Sequence, residues 1–158
     1  MNTNKMIDMF NENERLFALA DYIVENGLDT YAYVASKIFN KKYEECMDRN
    51  PVSMEFSVTG NILRTIAKKI CINSMSVDEL STNYSIPQLK QLIVNAFPFR
   101  FPEDIVDGED TATDDIDERI CGSTTFLVNL TGYVRFKYLM RDNKRHTDRV
   151  LDHKEATK

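Results

Sequence analysis

The chain reads as an α+β protein, a mainly helical body carrying a C-terminal β-hairpin. Three observations predict this. Over residues 1–102, apolar side chains recur at three- and four-residue spacing, as one buried helix face requires. Over residues 123–141, "STTFLVNLTGYVRFKYLMR", apolar and polar residues alternate on both sides of Thr131-Gly132, a pair suited to a hairpin turn. Between them, residues 103–119 hold nine acids and one arginine, a net charge of −8, which reads as a solvated loop. The expected organisation is a helical body at 1–102, an acidic loop at 103–122, the hairpin at 123–141 and a charged tail at 142–158. All of it fits one domain, since 158 residues suffice for one core.

The elements follow from local chemistry. Met6, Met9, Phe10, Leu16, Phe17, Leu19, Ala20 and Ile23 form a first helical stripe, with a break expected at the polar "NENE". Gly27 supplies the positive φ that ends a helix. Asp29 is placed to cap the next helix, whose apolar face is Tyr31, Val34, Ala35, Ile38 and Phe39. "NKKYEEC" continues as a short helix, and Pro51 stops it. "MEFSV" suggests a short strand. From Asn61 a helix follows through Ile62, Leu63, Ile66, Ala67, Ile70 and Cys71. Ser76 with Glu79 has capping-box spacing, and Pro87 suits the first turn of a helix over "IPQLKQLIVNAF".

The net charge of −5 argues against a surface that attracts nucleic acid everywhere. Three widely spaced cysteines, Cys46, Cys71 and Cys121, each beside apolar residues, predict buried free thiols in a reducing compartment. No secretory apolar region follows Met1, and no apolar run approaches about 18 residues. The expectation is a protein of the cytoplasm or of an intracellularly assembled viral particle, with no membrane contact.

Catalytic chemistry is not legible. The acidic stretch lacks the glycine and terminal glutamate offsets of a calcium loop. His146 and His153 lie in a charged region without a cysteine companion, so no metal site and no cofactor are expected. Nor does any nucleophile stand at a recognisable spacing from an orienting base. Two binding surfaces are suggested instead. Tyr31, Tyr33, Phe39 and Tyr43, with Phe99, Arg100 and Phe101 in the "FPFRFP" turn, have the residue types of protein-interface anchors. Residues 77–93 resemble a helix-turn-helix in rhythm. The hairpin would then act as a wing, bringing Arg135, Lys137, Arg141, Lys144 and Arg145 to phosphates; residues 133–158 carry a net +4.

"DTYAYVASKIFNKKYEEC" and "RTIAKKI" also carry a resemblance. Over residues 29–97 the chain resembles the palm-to-fingers region of family A DNA polymerases. The resemblance implies that Arg64 and Lys68, four positions apart, approach the triphosphate of an incoming nucleotide. The family's aromatic and Tyr-Gly positions are here Ile72, Ser76 and Val77, and its late His-Asp-Glu motif is absent.

The expected function is that of a noncatalytic accessory or assembly subunit, of phage derivation, working through a protein partner or its own copies. The alternatives are a small DNA- or RNA-binding protein using the basic hairpin, and a residual polymerase-like nucleotide-transfer enzyme.

Overall fold

The structure is a computed structural model describing residues 3–73, 76–80, 82–99, 105–106, 109–110 and 115–156, with side chains described for 13–73, 76–80, 82–99 and 115–144. Five α-helices dominate: α1 (Thr3–Glu25), α2 (Thr30–Ile38), α3 (Val58–Cys71), α4 (Ile86–Ala96) and α5 (Ile116–Ala156). Single 3₁₀ turns at Tyr43–Cys46 and Val77–Glu79 fill two of the connections.

The local signals act as their chemistry dictates. Asp29 caps α2, its Oδ2 accepting from the Ala32 amide at 2.9 Å. Ser85 caps α4 by accepting from Gln88 N, and Pro87 sits in that first turn. Gly27 closes α1 at φ +61°. The polar "NENE" does not break α1, which runs unbroken through it.

The fold class is corrected at the C-terminus. The protein is mainly helical, and the expected hairpin at 123–141 and residues 142–156 of the expected tail belong to the single helix α5. The described extended pairing is a two-residue antiparallel ladder, β1 (Ile105–Val106) with β2 (Glu109–Asp110), and an isolated bridge between Arg49 and Phe56. Two periodicities overlap in this sequence. Phe126, Val128 and Leu130 alternate, but the buried positions are Ile120, Gly122, Ser123, Phe126, Leu127, Leu130, Thr131 and Val134, a helical stripe. Burial along that stripe overrides the β preference of a segment rich in threonine, valine and aromatics. The threonines adapt by hydrogen-bonding back along the helix: Thr124, Thr125 and Thr131 donate to the carbonyls of Ile120, Cys121 and Leu127 at 3.0, 2.7 and 2.8 Å.

Gly132, expected at the hairpin turn, is instead an exposed helical residue, and a Cβ there would meet no atom within 4 Å. Gly132→Ala is therefore expected to stabilise the protein by about 0.5–1 kcal/mol, because glycine in a helix interior carries only an entropic cost. A urea titration reads this as a higher midpoint at unchanged slope.

α5 is the axis of the body. α4 lies along its first half, where Lys90 meets Asp117 and Phe97 meets Phe126. α1 lies along the next stretch, with Phe17 against Tyr133, Asp21 against Lys137 and Val24 against Arg141. Both neighbours run parallel to α5, since residue numbers rise together along each pair. Phe126 is the joint between them. It is 1% exposed, with Phe97 and Phe99 at ring-centroid distances of 6.3 and 6.4 Å and the Arg15 guanidinium 4.6 Å over its face. α3 packs on α5 as well, and α2 covers α3 and α4. Cys71 sits inside, its thiol pushed up to about 12 by burial. Cys46 is also buried, and burial raises it to about 11, whereas Cys121 is exposed, against the expectation for all three thiols.

Candidate functional site

Four surfaces concentrate chemistry. The first is the corner where α2 begins. Arg64 on α3 forks onto Asp29, Nε to Oδ2 at 2.8 Å and Nη2 to Oδ1 at 3.0 Å. The Tyr43 hydroxyl accepts from the Asp29 amide at 2.9 Å, and the Tyr31 ring lies 5.3 Å from the Arg64 guanidinium and 6.0 Å from the Lys68 ammonium. The hydrogen bond to Asp29 is the main reason that Arg64 holds its proton more firmly than usual. Tyr31, Tyr43, Arg64 and Lys68 thus meet around one carboxylate. There Arg64 fastens α3 to the start of α2 through a bidentate, partly solvated pair.

The other aromatic candidates are more dispersed. Tyr33 is half-buried, tilted against Tyr22 at 5.9 Å. Phe39 is buried against Tyr84, and Phe99 is half-buried beside Phe126. Arg100 and Phe101 lie outside the described residues.

The second surface is a cleft of about 370 Å³ between α3, α4 and the first turns of α5. Lys90 reaches into it and bridges Asp78 at 2.9 Å and Asp117 at 2.6 Å. Hydrogen bonding to these carboxylates, Asp117 foremost, raises the lysine pKa. The bridge ties α4 to the turn before it and to the N-terminus of α5, where a carboxylate also complements the helix dipole.

The third is the basic half of α5. The structure divides the expected set. Lys137 pairs with Asp21, and Arg141 Nη1 donates to the Val24 carbonyl at 3.2 Å, so both join α5 to α1. Arg135 and Lys144 are exposed, and the side chain of Arg145 lies outside the described residues. No hairpin wing carries them.

The fourth was not read from the sequence as a site. Between the 3₁₀ turn at Tyr43–Cys46 and α3, the chain makes a small folded excursion. Asn50 organises it: its Oδ1 accepts from the amides of Val52 and Ser53 at 2.8 and 3.0 Å, and its backbone exchanges bonds with Met54 and Glu55. Ser57 N donates to the Asp48 carbonyl, Arg49 Nη1 donates to the Met54 carbonyl, and the Ser57 hydroxyl caps α3 at Gly60 N. Met54 adopts φ +62°, a left-handed conformation that a side chain with a Cβ occupies at a cost of about 1 kcal/mol. This ordered backbone holds Val52, Met54, Phe56, Val58 and, one helical turn on, Ile62 toward solvent; Val52 is 89% exposed and Phe56 57%. Glu44, Glu45, Asp48 and Glu55 are exposed around them, with Arg49 the one cation between residues 44 and 62. The signal was present in "VSMEFSV", which alternates apolar and polar residues at every position. Such alternation predicts one buried strand face. Here residues 51–53 form a turn and Phe56 alone makes a bridge, so no strand face forms and the apolar side chains are left in water.

Among the described residues, no group of three or more His, Cys, Asp or Glu side chains is placed to hold a metal ion, and no helix is long and apolar enough to cross a membrane. Comparison with protein-family models, with curated proteins and with solved structures finds no match.

Proposed function

We propose that the protein is a noncatalytic accessory or assembly subunit that works by holding another protein chain on the apolar segment 52–62. The observation that carries this reading is the exposure of five large apolar side chains on an internally hydrogen-bonded segment. Scattered exposed apolar residues are ordinary, but five within eleven residues, interleaved with polar ones, have the make-up of a protein-binding site. The left-handed Met54 points the same way, since backbone strain accumulates where function holds it in place. The polar clusters fit a structural assignment: Arg64 with Asp29, and Lys90 with Asp78 and Asp117, each tie one element to another.

A photo-crosslinking residue at position 52, in the cells that make the protein, tests this. The expected result is an adduct with a discrete protein chain, reduced about tenfold or more by Phe56→Asp, as loss of a central anchor predicts. The same probe at Gln91, exposed on α4, should give none. Phe56 is itself exposed, so its substitution should leave the thermal unfolding curve nearly unchanged. Equal adducts from positions 52 and 91, or an adduct indifferent to Phe56→Asp, would overturn the reading.

A further inference from the structure

We infer that the chain held on segment 52–62 is a second copy of this protein, docked head to tail through the C-terminal half of α5. This rests on the protein-binding reading above and supplies the occupant. The other half of the contact is on α5 itself. Phe136, Leu139 and Met140 are all more than half exposed and lie on one arc of the helix, at spacings of three and four. The opposite arc is engaged with the body: Val134 is buried, Lys137 and Arg141 bond to α1, and the Tyr138 hydroxyl donates to the Leu28 carbonyl at 3.3 Å. α5 continues to Ala156, about 22 Å beyond Arg141 at the helical rise, whereas α1 ends at Glu25.

Charge selects which surfaces meet. Residues 44–62 hold four acids and one arginine, a net −3; residues 133–144 of α5 hold four cations and one acid, and with Lys137 paired to Asp21 a net +2 is left. Two apolar segments brought face to face juxtapose like charge, and so do two α5 arms. The segment of one copy against the arm of the next juxtaposes opposite charge, with exposed Arg135 and Lys144 flanking the apolar arc. Such complementarity sets orientation and suppresses wrong pairings more than it adds affinity, which the apolar side chains supply. The contact is heterologous, because each copy presents two different surfaces. It therefore propagates, closing into a ring or extending as a filament.

Sedimentation velocity of the full chain, over a concentration series at about 50 mM and about 500 mM salt, brackets the range in which exposed charges become screened. The expected result is association that grows with concentration and weakens at the higher salt. Phe56→Asp removes the segment, and Met140→Asp removes the arm. Each alone should weaken association roughly thirtyfold, the loss expected of a central anchor, with circular dichroism confirming an intact helical fold. An equimolar mixture of the two should assemble to a dimer and stop there, since each variant retains the half that the other lacks. A wild-type chain that stays monomeric, or a mixture that forms no dimer, overturns the inference. So does either variant self-associating as well as wild type. If the purified chain is monomeric while the probe at position 52 still captures a different protein, self-association alone fails and the protein-binding reading stands. If that probe captures nothing, the reading itself fails.

Discussion

Phe126→Ala is expected to lower the unfolding free energy by about 3–5 kcal/mol, the range for deleting a large aromatic from a close-packed core. Phe126 is where the packing of α4 on α5 gives way to that of α1. Truncation removes the ring's apolar area and also the surface against which Phe97, Phe99 and the Arg15 guanidinium rest. The backbone on three sides belongs to different helices and their flanks, so the void has little freedom to collapse. A total stability of about 5–15 kcal/mol is usual for a domain, so the loss takes a large share of it. Urea denaturation followed by circular dichroism should show the midpoint falling at constant slope. Phe126→Leu should cost less: it keeps most of the volume and loses chiefly the ring contacts, about 0.5–1.5 kcal/mol each. Equal effects from Ala and Leu, or a loss below about 1 kcal/mol from Ala, would contradict the packing described.

Gly60→Ala is expected to destabilise by about 3 kcal/mol, the upper end of what overpacking costs. Gly60 lies in the first turn of α3, pressed against the preceding chain. A Cβ built there collides with the Met47 carbonyl oxygen and stands 3.0 Å from the Glu45 carbonyl oxygen. These are backbone atoms, so no rotamer change relieves the contact; the 45–49 segment has to lift from the helix. That segment anchors the excursion bearing Val52, Met54 and Phe56. Hydrogen exchange should therefore quicken at the amides of Asn50, Met54 and Ser57, which are bonded within the excursion, while α4 and α5 keep their relative protection. The same substitution at Gly132 is expected to act with the opposite sign. The contrast isolates close backbone approach, rather than glycine's flexibility, as the reason for Gly60.

The parts of the fold legible in the sequence were those decided within a few residues. The caps at Asp29 and Ser76, the helix stop at Gly27, Pro87 in the first turn of α4 and the helical faces of α2, α3 and α4 all follow from local spacing and side-chain chemistry. α5 was not legible, because its residue types favour a strand and its period admits two readings. Only the presence of α1, α3 and α4 along one stripe decides between them. The candidate site shows the same divide. Arg64 and Lys68 point to one role and Tyr31 and Tyr43 to another, and their meeting around Asp29 depends on a contact spanning 35 positions. For the excursion, alternation was visible in "VSMEFSV", and what it left out was whether anything lay on top. Exposure is a property of the assembled body.

The parallel alignment of α1 with α5 has a consequence for how the chain acquires its structure. The ion pair between Asp21 and Lys137 joins residues 116 apart, and Val24 with Arg141 joins residues 117 apart. During synthesis, α1 emerges with its inner face awaiting a partner still to be translated, while α2, α3 and α4 already meet one another. A nascent polypeptide halted before Ile116 can pack α2, α3 and α4 on one another, but the apolar faces that α5 covers stay exposed as targets for chaperones. Docking of α1 on α5 is thus a late event, slowed by the entropy of closing so long a loop.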